Sequence, residues 1–214
     1  EVYVEEDIFD KFLSKISIRI KDIKSGSGED DLGPIITPET KQKINEHINE
    51  VKDSCDIFHG INNGDDKYIA PTIVVNPPDS SKIVNEETFG PVMSIRSFKS
   101  EDELIQKIHK TGYGLSSSIF GKDKKRINRI IKRMKTGNVN INDVITSYGI
   151  TTLPFGGEGI SGLGKQHGVE GLRSFCRVKS IVENRFNFID EPMWWGRPKI
   201  VERALEKIAA FLFR

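Results

Sequence analysis

Two cysteines are the residues most able to act as nucleophiles, and neither has the surroundings of a reactive thiolate. A cysteine nucleophile needs a nearby cation or a helix N-terminus to favour its thiolate. Cys55 lies where a predicted helix ends and is flanked by two aspartates, so dipole and charges disfavour an anion there. Cys176 has Arg173 and Arg177 nearby, but His167 would point about half a turn away if that span is helical. We interpret both cysteines as structural thiols.

The histidines and the paired glutamates indicate neither a metal site nor a proton-sharing dyad. The histidines are His47, His59, His109 and His167. No two of them have the spacing of metal ligands. Glu86 and Glu87 are adjacent in NEETFGPV (85–92), and neighbours in an extended chain diverge. The stretch precedes a strand-like run, so it is either a charged loop or a loop that contacts a ligand.

A glycine-rich segment, LPFGGEGISGLGKQHG (153–168), contains the dinucleotide-binding spacing Gly157-x-Gly159-x-x-Gly162. However, Pro154 interrupts the chain where a first strand should enter the turn. Further glycines follow, so no firm helix begins there to direct its N–H groups at a pyrophosphate. We interpret the segment as a wide, extended loop whose glycines let the backbone pack closely against another part of the molecule. A nucleotide cradle is the less favoured alternative.

Alternating strands and helices position these loops. Strands are predicted at 2–4, 68–75, 92–98, 115–121 and 138–142. Helices are predicted at 7–23, 38–54, 100–110 and 122–135, the last closed by Gly137. The alternation predicts an α/β fold: an open, largely parallel sheet with helices on both faces. Ligands of such sheets bind at loops beyond the carboxyl ends of strands, here 84–91, 142–156 and 156–168.

Composition excludes several classes of protein. The 214 residues are 36% hydrophobic and 29% charged, which suits one or two globular domains rather than a disordered chain. The net charge of +1, with both signs interspersed, does not predict a nucleic-acid partner. Two cysteines favour a reducing, cytoplasmic setting. No apolar run reaches the roughly 18 residues of a membrane span, and no signal peptide is visible.

Five blocks of sequence resemble the aldehyde dehydrogenase superfamily. The blocks are EVYVEEDIFDKF, NEETFGPV, YGLSSSIFGKD, GNVNINDV and LPFGGEGISGLGKQHGVEGLRSF, in the family's order and at about its spacings. The resemblance covers residues 1 to about 183. NDVI, LPFGG and the HG of KQHG look most like the class 3 and fatty aldehyde branch. The resemblance implies the family's catalytic-domain fold and NAD(P)-dependent oxidation of an aldehyde to an acid through a cysteine thioester.

The resemblance also implies roles for particular residues. Glu87 matches the glutamate that accepts hydrogen bonds from the nicotinamide ribose of NAD or NADP. Phe89 matches the aromatic residue that packs near the nicotinamide. Phe155 falls at the aldehyde pocket. The loop from 142 to 153 would line that pocket, through Asn142, Val144 and Tyr148.

The same resemblance places the nucleophilic cysteine, the general-base glutamate, the oxyanion-stabilising asparagine and the Rossmann domain upstream of Glu1. Cys55 and Cys176 do not match the nucleophile, so we expect no catalytic residue in this chain and no turnover by it alone. The implied partners are an aldehyde and an N-terminal coenzyme-binding half. The family strand that matches RVKSIV (177–182) lies at a subunit interface, so a homo-oligomer, dimer or larger, is expected.

The predicted organisation has three parts: an α/β catalytic segment (1–155), a glycine-rich loop with a helix and an oligomerisation strand (156–184), and a tail (185–214). The last sixteen residues form an amphipathic helix. Its apolar stripe comprises Ile200, Val201, Ala204, Leu205, Ile208, Phe211 and Leu212. We favour a helix docked on the protein or a partner subunit. The alternative is membrane contact through 198–214, with which the nearby Trp194 and Trp195 are compatible.

Two functions from different classes fit these observations. The first is the C-terminal part of an aldehyde dehydrogenase that acts only with its N-terminal half. The second is a non-catalytic dimerisation or binding module derived from a truncated enzyme. Transfer of the acyl group to coenzyme A, the choice of aldehyde and the choice between NAD and NADP are left open by the sequence.

Overall fold

The computed structural model describes residues 1–183, 185 and 198–212. The strands are β1 (Val2–Glu5), β2 (Lys24–Ser25), β3 (Ile57–His59), β4 (Ile61–Asn62), β5 (Thr72–Val75), β6 (Val92–Phe98), β7 (Ser116–Ile119) and β8 (Asn138–Ile141). The α-helices are α1 (Glu6–Arg19), α2 (Pro38–Val51), α3 (Lys82–Asn85), α4 (Glu101–Lys110), α5 (Lys124–Ile131), α6 (Thr146–Gly149), α7 (Gly168–Ser174) and α8 (Lys199–Leu212). Short 3-10 helices cover Ile20–Asp22 and Gly159–Ser161.

The main sheet has the strand order β1-β6-β5-β3. Strands β1, β6 and β5 run parallel, and β3 pairs antiparallel with β5 at the edge. Smaller parallel pairs are formed by β2 with β4 and by β7 with β8. The prediction of an α/β fold with an open, largely parallel sheet is confirmed.

Helices cover both faces of the main sheet. The register aligns Val75 and Val2 with Ile95, so these side chains share one face. That face packs against Phe9 and other apolar residues of α1. On the opposite face, Val74 packs with residues of α2 and α3. Farther along the same face, the end of β6 packs with α4 and α5.

Helix caps follow from the sequence. Thr37 accepts a hydrogen bond from the Thr40 N–H, and Pro38 begins α2 where a missing N–H is tolerated. Ser100 accepts from the Glu103 N–H at the start of α4. The Glu103 carboxylate accepts from the Lys99 N–H, one residue earlier than in a standard capping box. Both helix starts were predicted correctly.

Several predicted boundaries were wrong. Strand β5 is shorter than the predicted 68–75, because it begins only after Pro71, which has no N–H to donate. Helical spacing places Ile8 on one apolar stripe of the predicted helix 7–23, together with Phe9, Phe12, Leu13, Ile16 and Ile20, but Ile8 is 54% exposed. Helix α5 ends at Ile131, so Gly137 does not close it. Residues 177–182, which the resemblance matches to a family strand at a subunit interface, pair with no other described strand, and their role in an oligomer stays a prediction.

The chain divides into two compact units, Glu1–Phe175 and Cys176–Arg214. Within the second unit, α8 confirms the predicted C-terminal helix, and its Ile200, Ile208 and Phe211 are exposed. Trp194 and Trp195 lie outside the described residues. None of the described helices combines the length and the apolar character needed to cross a membrane.

Candidate functional site

The loop at 86–91 connects α3 to β6 and is bound along one side to helix α2. Lys43 Nζ lies 3.4 Å from Glu86 Oε2. His47, one helical turn later, places Nε2 3.6 Å from the same Glu86 oxygen and Nδ1 3.1 Å from Thr88 Oγ1. Two alternate residues of the loop therefore face the same helix.

Gly90 is the third alternate residue of the loop that packs against α2. A Cβ on Gly90 would overlap the end of the Ile44 side chain, which is fully buried on α2. The loop is then joined to the sheet, because the Thr72 N–H donates to the Pro91 carbonyl over 2.8 Å. Residues 86, 88 and 90 thus contact α2, and the chain enters β6 from a fixed position.

Glu87 and Phe89, the two predicted cofactor residues, occupy the other positions of the alternation and are exposed. Glu87 makes no hydrogen bond or ion pair with any described residue. Phe89 is 75% exposed and has a left-handed φ of 49°. Such a backbone conformation is uncommon for an aromatic residue and clusters at functional sites. The loop therefore presents a carboxylate and an aromatic ring away from the helix that supports it.

His47 is the buried polar group behind this loop. Its side chain is 1% exposed. Burial is the main cause that lowers the pKa of His47, and Lys43 and Lys82 lower it further, while Glu86 and Glu50 oppose the shift. The lowered pKa keeps the imidazole neutral near pH 7, with one ring nitrogen donating and the other accepting.

An aromatic cluster forms around Phe155, the predicted aldehyde-pocket residue. The rings of Tyr148 and Phe155 meet edge to face with centroids 5.1 Å apart. The His167 ring lies 5.8 Å from Tyr148 and 6.3 Å from Phe155. The cluster is held by a backbone bridge between Phe155 and Gln166, whose N–H groups donate to each other's carbonyls. Two predicted pocket residues, Tyr148 and Phe155, are therefore in contact.

His167 has two unusual features. Its Nδ1 is a buried side-chain polar atom without a hydrogen-bond partner among the described residues. Its φ of 60° is left-handed. An unsatisfied buried polar atom destabilises a protein by about 1–3 kcal/mol, so its presence calls for an explanation.

The other predicted pocket residues differ in their surroundings. Val144 is exposed, and its carbonyl accepts from the Asn140 amide over 3.1 Å. Asn142 accepts from the Gly121 N–H over 2.8 Å and donates to the Gly121 carbonyl over 3.0 Å. The Asn142 amide thus joins the ends of β7 and β8 and is already satisfied by the backbone. It shapes the loop that follows it.

The glycine-rich segment packs against backbone, as predicted. The Glu158 N–H donates to the Gly114 carbonyl, and the Ile160 N–H donates to the Gly112 carbonyl. A Cβ on Gly137 would overlap the carbonyl oxygen of Gly156, so Gly137 permits this close approach rather than a helix cap. Within 153–168 no helix begins at the third glycine of the fingerprint, and the next helix, α7, starts only at Gly168. The dinucleotide-cradle geometry is therefore absent from this segment.

The cysteines lack the features of an activated nucleophile. Cys55 is half-buried and packs with the apolar cluster around Val74, with Ser54 as its polar neighbour at 3.7 Å. Cys176 is exposed and belongs to the second unit. Among the described residues, no group of histidines, cysteines and carboxylates could hold a metal ion.

Residues that support the site gave no local signal in the sequence. His47 and Thr88 are 41 positions apart, and only the packing of α2 on the loop brings them together. Asn138 and Asn140 are buried on β8, where their amides bind carbonyls of the adjoining loops. For these two asparagines, their alternation in a short strand was the only hint in the sequence that they support neighbouring loops.

The chain is similar to known proteins along most of its length. Residues 1–181 match the model of the aldehyde dehydrogenase family. A putative aldehyde dehydrogenase of Staphylococcus aureus is 33% identical over 192 residues, which cover 84% of this chain and 39% of the relative. The betaine aldehyde dehydrogenase of Bacillus subtilis is 32% identical, with coverage of 85% and 39%. The chain thus spans about two fifths of the length of the curated relatives it matches.

Solved structures show the same similarity. A putative aldehyde dehydrogenase from Burkholderia cenocepacia superposes with a TM-score of 0.77 at 30% identity, over 81% of this chain and 38% of that one. A betaine aldehyde dehydrogenase from Staphylococcus aureus, solved in complex with NAD+, superposes with a TM-score of 0.73 at 33% identity, over 81% and 36%. This chain belongs to the aldehyde dehydrogenase family.

Proposed function

We propose that this chain forms the C-terminal part of an NAD(P)-dependent aldehyde dehydrogenase that oxidises an aldehyde to a carboxylic acid through a cysteine thioester. The observation that carries the proposal is the alternation in the loop at 86–91. Glu86, Thr88 and Gly90 are fixed on α2, whereas Glu87 and Phe89 are left exposed. A rigid loop that presents a carboxylate without a partner suits recognition of hydroxyl groups.

These residues fit the nicotinamide riboside end of the cofactor. The Glu87 carboxylate is an acceptor with vacant lone pairs, and ribose hydroxyls are donors. The Phe89 ring offers an apolar surface that limits movement of a flat ring. A relative of known structure is an NAD+ complex, which supports the assignment. When bound, NAD(P)+ supplies the hydride acceptor of the oxidation.

The aromatic cluster would form a wall of the aldehyde pocket. Phe155 and Tyr148 give it an apolar surface that excludes water from the reacting carbonyl. Val144 is exposed on the same loop and would add to that wall. Asn142 contributes by fixing the loop, since its amide is bound to Gly121. The similarity of NDVI, LPFGG and HG to the class 3 and fatty aldehyde branch supports a pocket of that kind.

We propose that the chain by itself does not turn over an aldehyde. Cys55 packs against apolar side chains, and no cation lies beside it in any described contact. The nucleophile and the general base would come from the remainder of the enzyme. An oligomer, dimer or larger, is part of the same proposal.

The test compares two exposed glutamates in the complete enzyme that contains this chain. Glu87→Gln should raise the KM for NAD(P)+ about tenfold, because hydrogen bonds to a charged group contribute about 1.5–3 kcal/mol. Glu29→Gln, an exposed position in the segment between β2 and α2, is the matched control and should leave that KM within about twofold. Equal effects of both substitutions, or none from Glu87→Gln, would contradict the proposed role.

The second candidate, a non-catalytic dimerisation or binding module, is distinguished by the isolated chain. A module should form a defined oligomer in sedimentation and show no response to NAD(P)+. A cofactor-dependent change in the fluorescence or NMR spectrum of the chain, removed by Glu87→Gln, would favour the enzyme segment.

A further inference from the structure

The loop that carries Glu87 and Phe89 depends on one buried polar group. Lys43 and Glu86 are both exposed to solvent, and an exposed ion pair contributes little to holding a loop in place. The His47 side chain, by contrast, is almost fully buried between α2 and the loop. A hydrogen bond made where water is excluded is the stronger restraint on position.

We propose that His47 is a positioning residue for the cofactor: it holds Thr88 and Glu86 against α2 and thereby fixes the direction of Glu87 and Phe89. The inference rests on the proposed function for the meaning of those two residues. His47 contacts neither the cofactor nor the substrate. It acts through the backbone of the loop, because its partner Thr88 lies between Glu87 and Phe89.

The geometry fits a neutral imidazole whose Nδ1 accepts from the Thr88 hydroxyl at 3.1 Å. Its Nε2–H then faces the Glu86 carboxylate at 3.6 Å, which is longer than a hydrogen bond. Protonation of Nδ1 would remove that acceptor, so the Thr88 hydroxyl would have to accept a hydrogen bond from His47 instead of donating one. It would also place a second cation beside Lys43. The loop should therefore loosen when His47 takes up a proton.

The charged groups around His47 set the direction of this pH effect. Glu86 and Glu50 favour the imidazolium, whereas Lys43, Lys82 and above all burial oppose it, so the pKa of His47 is lowered. A group with a lowered folded-state pKa stabilises the fold above its ordinary pKa of about 6.5 and loses that contribution as the pH falls. Loop order should accordingly be complete at pH 7.5 and decline below about pH 6.5.

Hydrogen exchange of the amides at 86–90 tests the proposal directly on the full chain. His47→Phe keeps the ring volume without the polar contacts, and Thr88→Val removes the hydroxyl with little change of shape. Each should accelerate exchange in this loop by about tenfold, the equivalent of one hydrogen bond of about 1.4 kcal/mol. His47→Gln, which can donate and accept, should restore most of the protection.

His109→Phe is the matched control. The Nε2 atom of His109 accepts a hydrogen bond from the Lys135 N–H over 3.2 Å, and His109 lies on α4 rather than behind the loop. The substitution should leave exchange at 86–90 unchanged. Unaltered exchange in both His47→Phe and Thr88→Val, or equal acceleration by His109→Phe, would overturn the proposal. If His47→Phe fails to fold, Thr88→Val decides.

A second measurement separates this proposal from the proposed function. In the complete enzyme, NAD+ affinity should fall about fivefold with His47→Phe, and the decline of affinity below about pH 6.5 should disappear in His47→Gln, which does not titrate. An affinity that does not respond to Glu87→Gln would overturn the proposed function, while the exchange result would still decide whether His47 holds the loop. Accelerated exchange with unchanged NAD+ affinity in His47→Phe would overturn the positioning role.

Discussion

The loop at 86–91 and the glycine-rich segment at 153–168 position their exposed residues in different ways. The first is fixed by side chains: His47 and Lys43 bind it, and Ile44 fits beneath Gly90. The second is fixed by backbone: the N–H groups of Glu158 and Ile160 donate to the carbonyls of residues 114 and 112, and Gly137 lets the chains approach. The loop can therefore respond to protonation of His47, whereas the glycine-rich segment depends on Gly137 having no Cβ.

The two regions also differ in how completely their polar groups are satisfied. In the loop, His47 Nδ1 lies 3.1 Å from the Thr88 hydroxyl, and its Nε2 faces the Glu86 carboxylate at 3.6 Å. In the aromatic cluster, His167 leaves its buried Nδ1 without a hydrogen-bond partner among the described residues. The buried histidine behind the loop therefore has polar neighbours that the Nδ1 atom of His167 lacks.

The largest expected effect comes from adding a methyl group where backbone meets backbone. Gly137→Ala places a Cβ on the Gly156 carbonyl, which cannot move aside without breaking its own contacts. It should lower the free energy of unfolding by about 2–3 kcal/mol in urea titrations. Gly149→Ala, where a Cβ would meet nothing within 4 Å, is the control and should change stability by less than about 0.5 kcal/mol.

The equivalent change in the other region should have a smaller effect. Gly90→Ala brings a Cβ against the end of the buried Ile44 side chain, and a side-chain end shifts more readily than a backbone carbonyl does. The expected loss in the same titration is about 1 kcal/mol. A loss as large as that of Gly137→Ala would show that the loop, too, is held by rigid packing, and the contrast between the regions would fail.

The ring contacts of the aromatic cluster give a third test. Tyr148→Leu removes the edge-to-face contact with Phe155 and should destabilise the chain by about 1 kcal/mol. Tyr113→Leu is the control, because Tyr113 is exposed and has no ring partner among the described residues. Equal changes in the thermal melting of the two variants would argue against a structural role for the cluster.

The smallest effect is the contribution of His47 to the pH dependence of stability. Burial lowers the pKa of His47, so the unfolded chain binds a proton more readily than the folded chain as the pH falls below about 6.5. Wild type should therefore lose more stability between pH 7 and pH 5 than His47→Gln does, measured by urea titration at each pH. A steeper loss of stability in His47→Gln would contradict a lowered pKa of His47 in the folded chain.

Local patterns predicted much of the fold because they act within one element. The caps of α2 and α4 and the amphipathic stripe of α1 are set by neighbouring residues, and they were found nearly where expected. The separate β7–β8 sheet was not foreseen, because pairing depends on which strands lie next to each other in space. Strand β3 was missed for the same reason.

The sequence predicted the exposed residues of the candidate site but not the residues of α2 that hold the loop in place. Adjacent glutamates in an extended loop were expected to diverge, and Glu86 and Glu87 do so. What holds Glu86, however, lies on α2, about 40 residues earlier, and no sequence period links the two. The family resemblance supplied ligands for Glu87 and Phe89, and those assignments stay predictions until a cofactor is measured against them.

The most direct test of the central claim is saturation-transfer NMR of NAD+ in the presence of this chain. We expect the protons of the nicotinamide ring and its ribose to receive the strongest saturation. Glu87→Gln should reduce this saturation, whereas Glu29→Gln, at another exposed glutamate, should leave it unchanged. Saturation centred on the adenine half, or a signal indifferent to Glu87→Gln, would contradict the assignment of Glu87 to the nicotinamide riboside.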